Sequence, residues 1–318
     1  MLGALTACST GAPSILEPGG PSARRIEGLW WLMLWVSAAV FAVVIALIAA
    51  AIWRRGGGSE TVERGEPRWG EPFVLVAGVL VPALILAGVF VVSVRDLNAI
   101  TPRTDDAALA IHVRGHLWWW EARYPNGAVT ANELHIPVGE RVRFELTTDD
   151  VIHSFWIPEL APKIDMIPGR TNVLEVEADR PGRYRGQCAE FCGLQHAHMA
   201  LFVVAEPQAD FDAWLRAEAV GAAAPASAEA ARGLTVFLGA CAGCHTVRGT
   251  SATGTLGPDL THMASRETLA AATLPNTRAD LERWIADPQS VKPGAVMPPT
   301  QLSAEDLQAL VDFLEGLR

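Results

Sequence analysis

The sequence is short of positive charge and of cysteine. Its 318 residues include 25 Lys and Arg against 35 Asp and Glu, a formal net charge of −10 at pH 7. A chain of this sign is poorly suited to binding nucleic acid. Only five cysteines are present, and no internal repeat is evident. Four of the cysteines lie in two short motifs, which makes those motifs the first candidates for function.

Two long runs lack any charge. Residues 30–53 and 72–94 are apolar throughout, and each is long enough to cross about 30 Å of hydrocarbon as a helix. Pro82 lies inside the second run, where a membrane helix tolerates it as a kink. The alternative, a buried core helix, is disfavoured by the length of the runs and their lack of charge. The sequence therefore predicts a transmembrane hairpin over 29–97.

The charges beside these runs bear on their orientation. The segment between them is rich in arginine, at positions Arg54, Arg55, Arg64 and Arg68. The positive-inside rule places such a loop in the cytoplasm, although Arg24 and Arg25 argue weakly the other way. Three tryptophans flank the first run and suit an aromatic belt at the membrane interface: Trp30, Trp31 and Trp53.

A dense cluster of soft ligands occupies the stretch CAEFCGLQHAHM. Its candidate metal-binding residues are Cys188, Glu190, Cys192, His196 and Met199, and His153 upstream can complete the set. Thiolate, thioether and imidazole together select copper or another late transition metal over calcium or magnesium. A disulfide, a zinc site or a copper chaperone would also use paired cysteines. None of these alternatives needs Met199, or Glu190 between the cysteines.

The second motif is Cys241-Ala-Gly-Cys244-His245. The spacing CxxCH is the attachment signature of c-type haem, with two thioether bonds and an axial histidine. A redox dithiol or half of a zinc site are the alternatives. The surroundings favour haem: a short apolar helix over 232–239 precedes the motif, and Gly-Pro-Asp-Leu follows it at 257–260. A terminal helix is predicted to begin at Ser303, with Asp306 three residues on as a variant of the capping box.

Between about residues 105 and 206 the pattern is that of strands. Alternating apolar residues recur at 109–113, 135–146, 172–177 and 199–204, separated by turns rich in Pro and Gly. Short strands with such turns indicate a sandwich or barrel. Residues 207–228 are rich in alanine and are predicted as a short helix followed by a linker, after which 229–318 forms the last domain.

The ligand cluster resembles the dinuclear copper (CuA) site of cytochrome c oxidase subunit II, which lies in a cupredoxin-like domain. The resemblance implies that Cys188 and Cys192 bridge two copper ions. It implies that His153 and Met199 complete one copper, and that His196 and the carbonyl of Glu190 complete the other. In that family the Glu190 side chain reaches a magnesium ion at the interface with subunit I.

The last domain resembles a class I cytochrome c, with Met297 as the sixth haem ligand. The order of hairpin, cupredoxin and all-α cytochrome is similar to that of subunit II of caa-type oxidases. This implies that electrons from an external donor, such as a cytochrome c or bc complex, pass through haem c and copper to subunit I. Oxygen is reduced to water there and protons are pumped. Haem c is attached outside the cytoplasmic membrane, so a bacterial inner-membrane location with both metal domains on the periplasmic side is expected.

The segment Gly115–Trp120 resembles the aromatic segment of subunit II, in which the first tryptophan receives electrons. That position is Trp118 here. The family usually has Gln and Tyr where this chain has Leu117 and Trp119. An aromatic cluster that only packs against the membrane partner is the alternative interpretation.

Three questions stay open at the level of sequence. Cys8, in the 1–28 tail, ends a stretch similar to a bacterial lipoprotein signal. However, only seven residues precede it, which is too few for a complete signal peptide, and none of them is basic. A subunit with the same cofactors could serve a nitric oxide reductase. A copper chaperone or thiol-redox protein is the alternative from another class.

Overall fold

The computed structural model describes residues 13–55, 70–102 and 109–318. Two compact units are present, one formed by Arg24–Thr101 and the other by the residues before it together with Pro102–Arg318. Cys8, Arg64 and Arg68 lie outside the described residues, and so does the beginning of the predicted cupredoxin domain at 105–108.

The first unit is a hairpin of two apolar helices. Helix α1 spans Pro21–Arg55, and the second helical rod runs from Gly70 to Ile100 as α2 (Gly70–Leu75), a π-helical turn (Val76–Leu80) and α3 (Val81–Ile100). Their mean hydropathies are 2.7 and 2.8, and none of the most apolar window is buried in either helix. The prediction of two apolar helices is confirmed, and both are longer than expected.

Pro82 explains the irregular turn in the second helix. Proline has no N–H to donate, and its ring clashes with the carbonyl four residues earlier, so a regular helix cannot pass through it unchanged. The π-helical turn at Val76–Leu80 lies immediately before it, and Pro82 occupies the first turn of α3. The ends of the hairpin meet through an ion pair between Arg25 and Asp96, with a separation of 3.4 Å.

The second unit begins with a β-sandwich. Its ten strands are β1 Leu109–His116, β2 Trp119–Arg123, β3 Val129–Ala131, β4 Glu133–Pro137, β5 Val142–Thr148, β6 His153–Trp156, β7 Ile164–Met166, β8 Asn172–Val176, β9 Gly182–Cys188 and β10 Ala200–Glu206. They form two sheets in the orders β3-β2-β1-β5-β8 and β4-β10-β9-β6-β7. Between the sheets lies a continuous apolar core that includes the fully buried Trp120, Phe144 and Phe155. The predicted sandwich is confirmed.

The segment before α1 packs on this sandwich. Gly19 N donates to Glu159 O at 2.7 Å, and Asp179 N donates to Gly19 O at 2.8 Å. A Cβ on Gly20 would lie 2.2 Å from the carbonyl oxygen of Glu177, so only glycine fits there. Gly19 and Gly20 therefore form part of the sandwich unit.

Helix α4 (Gln208–Glu218) returns along the sandwich after β10. Its Trp214 stacks on His135 with ring centroids 4.1 Å apart and meets Tyr124 edge-on at 5.1 Å. This helix belongs to the sandwich by its contacts, and a connection without regular secondary structure follows it over 219–227.

The last domain is mainly helical. Its elements are α5 Ala228–Ala240, a short hairpin of β11 Thr268–Leu269 and β12 Leu274–Pro275, α6 Arg278–Ala286, α7 Pro288–Val291 and α8 Ala304–Glu315. Helix α8 begins as predicted, since Ser303 Oγ accepts from Asp306 N at 3.0 Å and donates to the Asp306 carboxylate at 2.9 Å. Helices α5 and α8 pack closely, and Phe237 meets Phe313 with centroids 5.6 Å apart. The prediction of a helical cytochrome c domain is confirmed.

Candidate metal centres

The cysteine-rich loop joins β9 to β10. Cys188 is the last residue of β9, and its N–H donates to Met199 O at 2.9 Å, which closes the loop at its base. A single turn of 3₁₀ helix at His196–His198 and a positive φ of 111° at Gly193 fold the loop back on itself. His153 reaches this loop because β6 pairs with β9, with Phe155 opposite Cys188.

All six predicted copper-site residues converge. The Sγ atoms of Cys188 and Cys192 are 3.8 Å apart. Cys188 Sγ lies 3.9 Å from His153 Nδ1 and 3.3 Å from Glu190 O. Cys192 Sγ lies 3.7 Å from His196 Nδ1 and 3.8 Å from Met199 Sδ. Both thiols are free and buried, so this arrangement is a cluster of ligands and not a disulfide, whose sulfurs would be about 2.05 Å apart.

The donor set fits copper. Two sulfurs 3.8 Å apart can both contact one metal ion, since metal–thiolate bonds are about 2.3 Å long. Imidazole and thioether complete a set of soft and borderline donors, and every donor atom except the Glu190 carbonyl belongs to a side chain. The pKa of Cys188 is held well below that of a free thiol by hydrogen bonds from Cys192, His153 and the backbone, against the effect of burial. A thiolate is the form that binds metal.

Asp150 supports the site, and the sequence analysis did not identify it. Its Oδ1 lies 2.8 Å from His153 Nε2, an arrangement that fixes the ring so that Nδ1 faces the sulfurs. Its other oxygen accepts from Leu117 N at 2.8 Å. Asp150 stands three residues before a predicted ligand, which is the only signal in the sequence that could have pointed to it.

Trp118 lies against the cysteine loop. Its Nε1 donates to Cys192 O at 2.9 Å, and the residue is 9% exposed. The structure therefore connects the predicted electron-receiving tryptophan to a predicted copper ligand through one hydrogen bond.

The CxxCH motif follows α5 directly. His245 Nδ1 lies 2.9 Å from Pro258 O, which makes Nδ1 the protonated nitrogen and leaves Nε2 with the lone pair that binds iron. Burial lowers the pKa of His245, so the neutral form is favoured. A Cβ on Gly257 would lie 2.5 Å from the imidazole ring. Glycine is therefore required beside the axial histidine, and these residues fit a covalently attached haem.

Met297 lies in a loop held by Gln289. The Gln289 side chain accepts from Gly294 N at 2.8 Å and donates to Ala295 O and Met297 O at 2.8 and 3.0 Å. Two residues closer to the CxxCH motif, His262 and Met263, also have side chains that can bind iron. His262 Nε2 lies 2.8 Å from Val220 O, and Met263 is 3% exposed within the apolar core.

Similarity to known proteins agrees with this geometry. The family model "Cytochrome C oxidase subunit II, periplasmic domain" matches residues 127–206, and the model "Cytochrome c" matches residues 230–318. Cytochrome c oxidase subunit 2 of Alkalihalophilus pseudofirmus is 38% identical over 95% of this chain and 90% of its own length. The chain belongs to the cytochrome c oxidase subunit 2 family. The subunits of the same name from Bacillus sp. strain PS3 and Bacillus subtilis are 32% and 28% identical, over 78% and 99% of this chain and over 72% and 94% of their own lengths.

Membership of this family, with a fused cytochrome c domain, implies that copper and haem c are the resident cofactors. It disfavours the copper-chaperone and thiol-redox interpretations, because the homology spans the hairpin and both metal domains.

Proposed function

We propose that this chain is the electron-accepting subunit of a respiratory cytochrome c oxidase. Electrons from an external donor enter at haem c, pass to a dinuclear copper centre, and leave for subunit I, where oxygen is reduced to water and protons are pumped. The observation that carries the proposal is that one polypeptide holds six converging copper donors and a complete CxxCH site with an oriented histidine.

The assignments of individual residues are those that the resemblance to subunit II implies, and the convergence of the six donors supports them. Cys188 and Cys192 would hold both copper ions, His153 and Met199 would complete one copper, and His196 and the Glu190 carbonyl would complete the other. Cys241 and Cys244 would attach the haem, and His245 and Met297 would bind its iron. When bound, both cofactors would supply one-electron chemistry. The chain orients their ligands and connects Trp118 to Cys192 through one hydrogen bond.

The Glu190 side chain suits a further role at the interface with subunit I. Its carbonyl faces Cys188 while its carboxylate is exposed. A carboxylate is a suitable ligand for a hard cation such as magnesium. We place this cation between Glu190 and the partner subunit.

The location follows from the chain path. Gly19 and Gly20 are held on the sandwich, and α1 begins at Pro21. The start of α1 is therefore on the same side of the membrane as the sandwich. Haem attachment requires the periplasmic side of a bacterial inner membrane. The end of α1 with Arg54 and Arg55 would then lie in the cytoplasm, in agreement with the positive-inside rule.

Purification in mild detergent tests the proposal. The expected preparation contains an oxidase subunit I, takes up oxygen with a reduced cytochrome c or bc complex as donor, and shows the spectra of haem c and mixed-valence copper. Cys192→Ser should abolish the copper spectrum and oxygen uptake but keep the haem c spectrum, because a hydroxyl is a poor bridge for soft copper. Retention of the copper spectrum would refute the assignment, and turnover with nitric oxide but not oxygen would identify a nitric oxide reductase instead.

A further inference from the structure

Lys292 is buried in an unusual setting. The residue is 3% exposed, and its Nζ donates to three backbone carbonyls: Trp118 O at 2.7 Å, His198 O at 2.9 Å and Ala270 O at 3.2 Å. An ammonium group has three N–H donors, and here each has an acceptor. Among the described residues, no carboxylate forms an ion pair with Lys292. Lys292 therefore holds three backbone segments in place.

The three carbonyls come from different parts of the molecule. Trp118 and His198 belong to the sandwich, and His198 lies within the copper loop. Ala270 belongs to the β11–β12 turn of the cytochrome domain. Lys292 belongs to the same domain and follows α7. Burial of an ammonium ion is unfavourable unless hydrogen bonds compensate for lost water, and it lowers the pKa of Lys292 to about 7. The compensation is complete only while the cytochrome domain is seated on the copper loop.

The next two residues extend the contact. Pro293 O accepts from Gln195 Nε2 at 2.7 Å. Gly294 has a φ of +84°, and a Cβ there would lie 3.1 Å from Leu194 Cδ1 and 3.6 Å from the Trp118 ring. Residues 292–294, the clamp segment, therefore touch the copper loop at three successive positions and cover Trp118.

The clamp segment leads directly to the predicted haem ligand. Met297 is three residues beyond Gly294, and Gln289 binds Gly294, Ala295 and Met297 together. A displacement of the clamp segment would therefore move the Met297 loop relative to the copper loop. The chain therefore connects a copper-loop contact at Gly294 to a predicted haem ligand over three residues.

We propose that Lys292 is a positioning residue for electron transfer within the chain: it locks the cytochrome domain onto the copper loop, with Trp118 enclosed between the two sites. This inference rests on the proposed function. The transfer moves one electron from ferrous haem to the oxidised copper pair, and no bond in the clamp segment forms or breaks.

The docking itself can be tested without cofactors, by hydrogen exchange in the full chain in detergent. The amides of Glu267 and Thr268 donate to the Glu133 carboxylate across the same domain junction, at 3.0 and 2.8 Å. In Lys292→Met, these two amides should exchange roughly tenfold faster or more, because the junction opens more often. Amides within the β1–β5 pair should exchange as before. The matched control is Lys163→Met, since Lys163 is the only other lysine and is exposed.

Electron transfer gives the second measurement, in the copper- and haem-loaded chain. After rapid photoreduction of haem c, transfer to copper should slow by at least roughly tenfold in Lys292→Met, since small misplacements of reacting groups carry penalties of this size or more. The two absorption spectra should be unchanged. Both reduction potentials are measured as well, because Lys292 interacts electrostatically with Cys192, so that a change in driving force is separated from a change in position. In Lys292→Ala, butylammonium chloride in slightly acidic buffer should restore both exchange protection and rate, whereas butanol should restore neither.

Each outcome decides the inference. The inference is wrong if the Glu267 and Thr268 amides of Lys292→Met exchange as fast as those of the unsubstituted chain. It is also wrong if amide exchange across the β1–β5 pair rises by the same factor. An unchanged transfer rate would also overturn it. If Lys292→Met does not fold, Lys292→Ala with butylammonium is the deciding variant, and equal rescue by butanol would count against the ammonium. If the unsubstituted chain lacks the copper or haem spectrum, the proposed function fails, and the exchange result still decides the clamp.

Discussion

Asp150 connects the copper ligand His153 to the tryptophan segment through Leu117 N. We expect Asp150→Asn to weaken copper binding by roughly 10- to 100-fold, as is typical when the partner of a metal-binding histidine is lost. The amide NH2 of asparagine can only donate. It would therefore lose the hydrogen bond with either the Leu117 N–H or the His153 imidazole. Copper titration against a competing chelator measures this effect.

Asp149 is the matched control for this prediction. It is the neighbouring carboxylate, but its side chain is 66% exposed and pairs with Arg114 at 2.8 Å on the surface. Asp149→Asn should bind copper like the unsubstituted chain. Equal loss in both variants would show that net charge, and not the orientation of His153, governs copper affinity.

Met297 and Met263 give opposite expectations. Met297→Ala should remove the sulfur-to-iron charge-transfer band and lower the haem potential, because thioether ligation raises it. Met263→Ala should keep the band but lower the free energy of unfolding by about 2–5 kcal/mol, since it empties a buried site. Visible spectra and denaturant titrations distinguish the two. If Met263→Ala loses the band and Met297→Ala keeps it, Met263 is the haem ligand and Met297 is not.

The residues that the sequence revealed are those within short motifs. The spacing of the cysteines indicates metal and haem binding from the sequence alone, at Cys188, Cys192, Cys241 and Cys244. Gln289 and Lys292 carry no such signal, because they act on backbone groups whose proximity only the fold creates. Asp150 was missed although it stands three residues before His153, because one carboxylate at that spacing is not a specific signal. Lys292 lies 174 positions from Trp118, and no local pattern encodes that contact.

At the level of elements, the α5–α8 pair has almost no space between its helices. A Cβ on Gly233 would lie 1.9 Å from Ala309 O. Gly233→Ala should therefore force the helices apart and destabilise the cytochrome domain by about 3 kcal/mol or more, beyond the usual range for overpacking because the obstacle is backbone. Thermal unfolding followed at the haem band measures this.

Gly239 provides the comparison in the same helix. A Cβ there meets nothing within 4 Å, so Gly239→Ala should be neutral or stabilise by up to about 1 kcal/mol through helix propensity. A similar loss in both variants would mean that close packing of α5 on α8 is not the cause.

Helix ends and strands were predictable from sequence to different degrees. The capping residue Ser303 marked the start of α8 correctly, and α5 begins earlier than predicted because Ser227 caps it through Ala230 N at 3.0 Å.

Alternation located β4 and β5 but could not assign their partners, and the structure places them in different sheets. The β11–β12 hairpin was missed because its turn uses three alanines with positive φ, Ala270–Ala272, where glycine or asparagine would normally be the signal.

At the level of the whole molecule, Glu133 joins the sandwich to the cytochrome domain. Its buried carboxylate accepts from Glu267 N, Thr268 N and the Thr268 hydroxyl, and pairs with Arg183 at 3.1 Å. Glu133→Gln should destabilise the junction by about 3 kcal/mol, because donors and a charge are left without their partner. Calorimetry should then show the cytochrome domain unfolding at a lower temperature than the sandwich.

Glu140→Gln is the control, since Glu140 is exposed on the turn between β4 and β5. Its thermogram should match that of the unsubstituted chain. A Glu133→Gln thermogram that also matches would show that the carboxylate does not hold the domains together.

The glycines before α1 have a practical consequence for anyone who isolates the outer part of this protein. The sandwich is completed by residues that precede the membrane hairpin in the chain, so a soluble fragment that begins at Leu109 would lose them. Glu159 O and Asp179 N would each lose a partner, and the surface under Gly20 would open to water. A fragment that joins residues 13–20 to the sandwich by a short linker, in place of the hairpin, would keep that surface closed.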